Sequence, residues 1–256
     1  MTDKPSSLKN NDSLSSADEL FADSAGQQLA GQFTFDSAVA RVFPDMIKRS
    51  VPGYAETVAM SGVIAGEYAR DHTNLYDLGC SLGAVTLAMR HGVKAKSCKI
   101  IGIDNSAAMI EQAGHYLALD DGAVDIELMC ADITSQPIEN ASVVALNYVL
   151  QFIPQDQRLA LLSHIAQGIN DGGALILSEK ICFDDDEQQL QDKLHLDFKR
   201  ANGYSELEIA QKRSAIENVL IPETEHAHIA RLKQAGFSRV IRWYQCFNFV
   251  SYLAIK

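Results

Sequence analysis

The segment that decides the fold class is residues 76–83, which read YDLGCSLG. An apolar run ends at Asp77, and Gly79 and Gly83 let the following backbone turn tightly beside a ligand. Ser81 stands where a strict glycine loop would have its middle glycine, so the segment differs from the GxGxxG pattern of nicotinamide sites. The carboxylate of Asp77 can pair with an ammonium group of a ligand. The segment predicts a ligand-binding turn from a strand into a helix; taken alone, it also fits a tight turn without a ligand.

Around this segment, short β-rich runs alternate with helical segments. We predict strands at 75–78, 99–104, 125–130, 141–146 and 174–179, and helices at 54–69, 84–89, 107–119, 155–169 and 225–235. This alternation indicates right-handed βαβ crossovers and therefore a parallel sheet. Two final runs, at 239–244 and 248–255, indicate an antiparallel hairpin, and the charged block at 183–222 indicates a helical insertion before it.

The N-terminal part differs in composition from the rest of the chain. Residues 1–28 are rich in Ser, Asp, Asn and Lys, so they cannot bury enough apolar surface to offset their ordering entropy. We expect a disordered tail there, with room for a short helix near 17–22, followed by a single α/β domain over 29–256. Between 33 and 54 the apolar spacing is helical but irregular, and we expect breaks at Pro44 and at Pro52-Gly53.

Charge and composition weigh against several classes of protein. The 256 residues carry a formal net charge of −11, whereas direct binding of nucleic acid needs a basic face. An anionic substrate would therefore need a local cluster of Arg or Lys. The five cysteines include no CxxC pair, which is typical of reduced thiols in the cytoplasm. No run approaches about 18 apolar residues and no basic-then-apolar start is present, so we expect a cytoplasmic enzyme without a membrane partner.

Polar residues follow the next three predicted strands. Asp104 and Asn105 close the second, Asp132 and Ile133 follow the third, and Asn147 closes the fourth. Because ligands of open α/β sheets bind at the carboxyl ends of the strands, these residues should lie together. Asp104 can accept hydrogen bonds from two ribose hydroxyls, although it could also cap the next helix. Asp132 can accept from the amino group of adenine, with Ile133 packed on the ring.

This pattern resembles the class I S-adenosylmethionine-dependent methyltransferase superfamily over residues 55–256. The resemblance implies a Rossmann-like α/β fold with a mostly parallel seven-stranded sheet, an antiparallel C-terminal hairpin and, here, a helical insertion at about 183–222. An Asn-Pro-Pro-Tyr-like element, which grips a target amine, is absent after the fourth strand, where residues 147–150 read NYVL. N-methylation of a base is therefore not indicated.

A closer resemblance covers residues 33–256 and is carried by more specific segments. These are FPDM at 43–46, RSVPGY at 49–54, DLGCSLGA at 77–84, FKRANGYSELEI at 198–209, QKR at 211–213 and QCFNF at 245–249. They are similar to the carboxy-S-adenosyl-L-methionine synthase family. The resemblance implies that S-adenosylmethionine reacts with prephenate, which loses carbon dioxide and water to become phenylpyruvate. The sulfonium methyl, as an ylide, captures the carbon dioxide.

The same resemblance implies partners for the reaction and for the chain. The product, carboxy-S-adenosylmethionine, would pass to a second enzyme that carboxymethylates 5-hydroxyuridine at the wobble position of certain tRNAs, giving uridine 5-oxyacetic acid. The chain itself would form a homodimer. No metal is implied, and His226 and His228 lack a third ligand that would complete a metal site. The acidic run at 184–187 is interpreted as the start of a helix.

Site residues also follow from the resemblance. Arg213 would act in catalysis as the cation opposite the methyl group, where its planar guanidinium suits the new carboxylate. The residues implied for binding S-adenosylmethionine or its carboxylated product are Tyr54, Gly79, Cys80, Ser81 and Asn147 at the methionine part, Asp104 and Asn105 at the ribose, Asp132 and Ile133 at the adenine, and again Arg213, opposite the methyl group. Candidates for holding prephenate, without a ranking, are Lys180, Lys199, Arg200 and Lys212.

Two other functions share the predicted fold. The first is a conventional methyltransferase acting on a small molecule, against which only Arg213 and its neighbouring residues argue. The second is a non-catalytic subunit that binds S-adenosylmethionine and supports tRNA modification. The net negative charge argues against the second, because such a subunit would need a basic surface.

Overall fold

A computed structural model describes residues 35–216 and 219–256 as an α/β fold around one sheet. In chain order the strands are β1 (Asn74–Leu78), β2 (Lys99–Asp104), β3 (Asp125–Cys130), β4 (Ala141–Asn147), β5 (Ile169–Cys182), β6 (Glu223–Thr224), β7 (Arg239–Cys246) and β8 (Phe249–Ile255). The main path runs β3-β2-β1-β4-β5-β8-β7, and the short β6 pairs with β5 beside it. Strands β1 to β5 pair in parallel, whereas β8 is antiparallel to β5 and β7. The predicted sheet and its antiparallel hairpin are confirmed.

The strand order reverses between β1 and β4, which are neighbours at the centre of the sheet. The chain leaves β1 toward β2 and β3, and it leaves β4 toward β5 on the opposite side. The two connections therefore separate and open a crevice at the carboxyl ends of these strands.

Helices cover both faces of the sheet. They are α1 (Ser37–Ser50), α2 (Tyr54–Tyr68), α3 (Ala84–Gly92), α4 (Ala107–Leu117), α5 (Gln155–Gly168), α6 (Asp185–Ala201), α7 (Glu206–Ile216) and α8 (Glu225–Gln234). The predicted helical insertion consists of α6 and α7, which lie between β5 and β6. Helix α6 begins directly after Asp184, so the acidic run is the start of a helix as interpreted from the sequence.

The central strands are buried on both faces, which explains their nearly continuous apolar sequences. Val144 of β4 and Leu177 of β5 belong to a cluster that also contains Leu162 of α5. Their neighbours Val143 and Ile176 point the other way and pack with residues of α2 and α3. The two clusters hold the strands rigidly, so the residues at the strand ends have defined positions.

Helix α1 runs through Pro44, so the break predicted there is wrong. Proline removes one hydrogen bond to the carbonyl four residues earlier. Phe43 and Met46 are buried against Met109 of α4, and this packing holds the helix together on both sides of the proline. The break predicted at Pro52-Gly53 is present, because α1 and α2 are separate helices.

Strand β5 is longer than predicted, at both ends. It extends to Ile169 because β4 pairs with that end, and to Cys182 because β8 pairs with it as far as Lys180 and β6 pairs with Ile181 and Cys182. The predicted tail at 1–28 and helix near 17–22 lie outside the described residues. Among the helices in the described ranges, none combines the length and apolar character that crossing a membrane requires.

Candidate active site

A cavity of about 710 Å³ lies at the carboxyl ends of the parallel strands, and α1, α6 and α7 complete its wall. Every residue that the sequence analysis named for ligand binding lines this cavity, namely Tyr54, Gly79, Cys80, Ser81, Asp104, Asn105, Asp132, Ile133, Asn147 and Arg213. The fold thus brings together residues that are far apart in sequence. Their individual roles stay predictions.

The loop after β1 contains three residues with positive φ, Gly79, Ser81 and Gly83. Gly79 has a φ of 74°, and a Cβ there would lie 2.3 Å from Val149 Cγ2, so only glycine fits. Ser81 has a φ of 50° and occupies the left-handed conformation that a middle glycine would otherwise adopt. The backbone N–H of Gly79 donates to the carbonyl of Ile103 at 2.7 Å, which ties the loop to the end of β2.

Asp104 connects the loop that follows β1 to the loop that follows β2. Its Oδ2 accepts from the backbone N–H of Ser81 at 2.9 Å, and its Oδ1 accepts from the backbone N–H of Ser106 at 2.9 Å. Burial raises the pKa of Asp104 above its usual value. The cap of α4 is Ser106, whose hydroxyl accepts from the N–H of Met109, so the alternative role of Asp104 as a helix cap is wrong. Each carboxylate oxygen keeps a lone pair that can accept from a ligand hydroxyl.

Asp77 is almost completely buried at the end of β1. Its Oδ2 accepts from the hydroxyl of Thr86 at 2.6 Å. Burial raises its pKa to about 6, against the lowering effect of the Thr86 hydrogen bonds. Asp77 lines the cavity, so it can contribute negative charge to the site even though one of its oxygens is already occupied.

The loop after β3 places one polar and one apolar residue on the cavity. Asp132 is exposed, and its Oδ1 accepts from the N–H and the hydroxyl of Thr134 at 2.8 and 2.7 Å. These bonds lower the pKa of Asp132, so it carries a negative charge at neutral pH. Ile133 is buried beside it. The pair can hold a flat heterocycle with one amino substituent.

Asn147 and Tyr54 line the cavity near the loop after β1. The amide of Asn147 donates to the hydroxyl of Ser61 at 3.4 Å, whereas its Oδ1 is buried and has no hydrogen-bond partner among the described residues. The Tyr54 ring lies 6.4 Å from the ring of Tyr148. Burial, and the charge of Asp77, raise the pKa of Tyr54 to about 12, so its hydroxyl stays protonated. The Oδ1 of Asn147 is available to accept a hydrogen bond from a ligand.

Four cationic side chains on β5, α6 and α7 line the cavity, and we call them the cation cluster: Lys180, Lys199, Lys212 and Arg213. Lys212 is buried, donates to the hydroxyl of Tyr204 and lies 4.1 Å from the centroid of that ring. Arg213 is exposed at the end of α7. In a chain with a net charge of −11, this concentration of positive charge marks a site for an anion.

Arg200 was a candidate for holding prephenate, and the structure contradicts this. Its side chain does not line the cavity. It pairs with Asp197 at 2.8 Å and with Glu206 on the surface of the insertion. Helix geometry explains the difference, because Arg200 follows Lys199 by one residue and therefore points about 100° away from it.

Sequence reasoning missed several polar residues of the cavity wall, among them His195 and Gln151. His195 on α6 donates through Nε2–H to the carbonyl of Ser50 at 2.8 Å, and its ring packs edge-on against Phe249 at 5.0 Å. Gln151 is buried, and its N–H donates to Glu179 at 3.0 Å. Neither belongs to a short sequence pattern, so only the packing of α6 and β5 reveals them.

Of the remaining histidines, His228 is buried in the core against Tyr252, at 6.2 Å between ring centroids. Burial lowers its pKa to about 4, so it is neutral at physiological pH. Within residues 35–216 and 219–256, no group of three or more His, Cys, Asp or Glu side chains is arranged to hold a metal ion.

Comparison with known proteins decides the family. Residues 75–173 match a family model described as a methyltransferase domain. The carboxy-S-adenosyl-L-methionine synthase of Marinobacter nauticus is 57% identical over 93% of this chain and 95% of its own length. That of Trichlorobacter lovleyi is 60% identical over 88% of this chain and 93% of its own length.

The chain belongs to the carboxy-S-adenosyl-L-methionine synthase family. The resemblance stated from the sequence is therefore confirmed, and so is the prediction that the chain is an enzyme, a transferase.

Solved structures show the same fold at low sequence identity. Human N-acetylserotonin methyltransferase in complex with SAM matches with a TM-score of 0.58 and 16% identity, over 86% of this chain and 55% of that one. A putative O-methyltransferase from Nostoc punctiforme matches with a TM-score of 0.62 and 16% identity, over 86% of this chain and 59% of that one. The class I methyltransferase fold predicted for this member of the synthase family is confirmed.

Proposed function

We propose that this enzyme makes carboxy-S-adenosylmethionine from S-adenosylmethionine and prephenate, with phenylpyruvate and water as the other products. The observation that carries the proposal is that acidic and cationic side chains line one cavity. Asp104 and Asp132 lie at the ends of β2 and β3, and the cation cluster lies on β5, α6 and α7. The acids suit a nucleoside carrying a sulfonium, whereas the cations suit a second substrate with two carboxylates.

The adenosine part is proposed to lie along the ends of β2 and β3. Asp104, whose orientation is held by two backbone N–H groups, would accept from the ribose hydroxyls, with Asn105 beside it. Asp132 would accept from the amino group of adenine while Ile133 packs on the ring. Together these contacts would orient the nucleoside so that its sulfonium points toward the insertion.

The methionine part is proposed to lie over the loop after β1. Gly79, Cys80 and Ser81 would leave room for it, because the backbone there approaches closely. The Oδ1 of Asn147, which has no partner in the described chain, would accept from the α-ammonium group. The hydroxyl of Tyr54 would lie at the border of this part of the cavity.

The proposed reaction balances without an additional reagent. The bond between the prephenate ring and its carboxylate breaks, its electron pair makes the ring aromatic, and the ring hydroxyl leaves as hydroxide. The hydroxide takes a proton from the sulfonium methyl and becomes water. The methyl carbon then forms a bond to the released carbon dioxide, so one negative charge moves from the prephenate ring to the new carboxylate.

Arg213 is proposed to stabilise that new carboxylate. Its guanidinium stays charged throughout the physiological range and offers two parallel N–H groups to a carboxylate. A cation at this position stabilises the negative charge that develops on the carboxylate as it forms at the methyl carbon. Stabilising a charge that develops in the transition state accelerates the reaction.

The function is tested by incubating the purified enzyme with S-adenosylmethionine, with and without prephenate, and analysing the nucleosides by mass spectrometry. We expect a species heavier than S-adenosylmethionine by one carbon dioxide, together with phenylpyruvate, only when prephenate is present. If the enzyme binds S-adenosylmethionine but forms no such species, prephenate is not the second substrate. Transfer of the methyl group to an added small molecule would instead support a conventional methyltransferase.

Replacing Asp104 by asparagine is expected to weaken binding of S-adenosylmethionine by about 10- to 100-fold. In the wild type the two carboxylate oxygens of Asp104 accept from the backbone N–H groups of Ser81 and Ser106. Asparagine replaces one of these oxygens by an NH₂ group, which cannot accept, so the substitution disturbs the loop and removes one acceptor for the ribose hydroxyls. Isothermal titration calorimetry measures the change. Asp125→Asn, at the exposed opposite end of β3, is the control, and equal affinity in the two variants would contradict the role of Asp104.

The wider setting is proposed from the resemblance to the family. The product would be passed to a tRNA carboxymethyltransferase acting on the wobble uridine, and the enzyme would work as a homodimer in the cytoplasm.

A further inference from the structure

The members of the cation cluster differ in how the chain compensates their charge. Lys212 donates to the hydroxyl of Tyr204 and lies against its ring. Lys180 lies near the carboxylate of Asp192, which favours its charged form. Within residues 35–216 and 219–256 neither Lys180 nor Lys199 makes a salt bridge or hydrogen bond through its ammonium group, but Lys199 differs from Lys180 because no carboxylate charge acts on it. The side chains whose charges act on it are all cations.

The surroundings of Lys199 disfavour the charged form of its ammonium group, which lowers its pKa. Burial, followed by the charges of Lys180, Lys212 and Arg213, lowers the pKa of Lys199 to about 8. A partly buried ammonium group without an anionic partner is unfavourable, and an anion in the cavity would relieve the repulsion among the cations. The position of Lys199 on the wall therefore suits a carboxylate from a bound molecule.

We propose that Lys199, with Lys180 beside it, binds the carboxylate that the second substrate keeps through the reaction. This inference rests on the proposed function. In prephenate the ring carboxylate leaves as neutral carbon dioxide, whereas the carboxylate of the pyruvyl side chain remains in phenylpyruvate. A cation on the leaving carboxylate would stabilise the ground state more than the transition state, because the charge is disappearing there. The retained carboxylate keeps its charge, so it can be bound without slowing the reaction.

The members of the cation cluster would then bind different carboxylates. Arg213 acts on the carboxylate that forms, and Lys199 and Lys180 act on the carboxylate that does not react. Binding the retained carboxylate equally in the ground and transition states lowers KM without changing kcat. The two lysines would thus determine specificity for a substrate that has a carboxylate on its side chain.

The pH dependence follows from the groups around Lys199. These are Lys180 on β5, Asp192 and His195 on α6, Lys212 and Arg213 on α7, Tyr204 between the two helices, and Arg49 of α1 with its partner Asp45. Burial lowers the pKa of His195 to about 3, so it is neutral at pH 7 and above. A bound carboxylate favours the ammonium form of Lys199 and raises its pKa in the complex. Affinity is therefore full below about pH 8 and falls as the pH rises above it.

A second group titrates in the same range. Burial raises the pKa of Glu179 to about 8, and its carboxyl holds the backbone N–H groups of Leu150 and Gln151 behind the cavity wall. Because Glu179 is present in the wild type and in every variant, the comparison between them isolates the contribution of Lys199.

The experiment measures KM and kcat for prephenate at saturating S-adenosylmethionine between about pH 7 and about pH 9.5. Lys199→Met is expected to raise KM at pH 7 by about 10- to 100-fold while kcat changes by less than about threefold. The part of the KM rise above pH 8 that Lys199 is expected to cause in the wild type should be absent from this variant. Lys180→Met should raise KM in the same direction, and inhibition by phenylpyruvate, which keeps the same carboxylate, should weaken in both.

Lys193→Met is the matched control, since Lys193 is an exposed lysine on the same helix; it should behave as the wild type. A wild type that forms no carboxylated product defeats the proposed function itself. An active wild type together with a Lys199→Met variant of unchanged KM and pH profile overturns this inference alone, as does a fall in kcat at constant KM. If Lys199→Met does not fold, as judged by S-adenosylmethionine binding, a flat wild-type KM through pH 8 or an unchanged KM in Lys180→Met overturns it.

Discussion

Replacing Arg213 by lysine is expected to lower the rate of carboxy-S-adenosylmethionine formation by roughly 100-fold or more. Lysine keeps the positive charge but loses the planar pair of N–H groups that matches a carboxylate. The effect should fall on kcat, because the new carboxylate exists only late in the reaction. Binding of S-adenosylmethionine, which carries no carboxylate on its methyl, should change by less than about threefold. Single-turnover product formation, followed by mass spectrometry, measures the first quantity, and calorimetry measures the second.

Arg200→Lys is the matched control for this prediction. Arg200 lies in the same helical insertion, on the surface, where it pairs with Asp197 and Glu206. Its replacement should leave both quantities unchanged, because exposed ion pairs contribute little. Equal rates for Arg213→Lys and the wild type would show that Arg213 does not contact the forming carboxylate.

Replacing Arg158 by methionine is expected to destabilise the fold by about 3–5 kcal/mol. Arg158 is completely buried and forms a salt bridge with Glu223, and its guanidinium also donates to the carbonyls of Ile153, Gln151 and Ile221 at 2.8, 3.2 and 2.9 Å. Methionine fills part of the space but leaves the carboxylate and three carbonyls with fewer donors. The free energy of unfolding, measured in urea, should fall accordingly.

A control for Arg158 is available on the surface. Arg242 pairs with Glu225 at 3.0 Å, and both side chains are partly exposed, so Arg242→Met should cost no more than about 1 kcal/mol. The three residues whose carbonyls accept from Arg158, namely Gln151, Ile153 and Ile221, line the cavity. Arg158→Met should therefore also weaken prephenate use in the protein that remains folded. Equal free energies of unfolding for Arg158→Met and Arg242→Met would show that Arg158 stabilises the fold no more than an exposed arginine does.

The strands that carry the site were predictable because their signals are local. β2 and β3 begin and end at the predicted residues, Lys99–Asp104 and Asp125–Cys130, since each is a β-rich run bounded by polar residues. The loop after β1 was predictable because a positive φ at Gly79 and close contact with Val149 require a glycine.

Other features depend on contacts between distant parts of the chain. The continuity of α1 through Pro44 depends on burial of Phe43 and Met46, which no local rule contains. The extension of β5 depends on pairing with β4 at one end and with β8 and β6 at the other. In both cases tertiary packing overrides a local preference.

By itself, the sequence of this protein determined the order of its strands and helices, the acids at the strand ends and the family to which it belongs. Local backbone geometry and short specific segments are sufficient for those. Only the tertiary structure decided which of four candidate cations face the cavity, retaining Lys180, Lys199 and Lys212 and placing Arg200 on the surface. It also revealed His195 in the wall. The physical reason is that burial and electrostatic compensation depend on neighbours brought from other elements, and a linear sequence does not specify those distances.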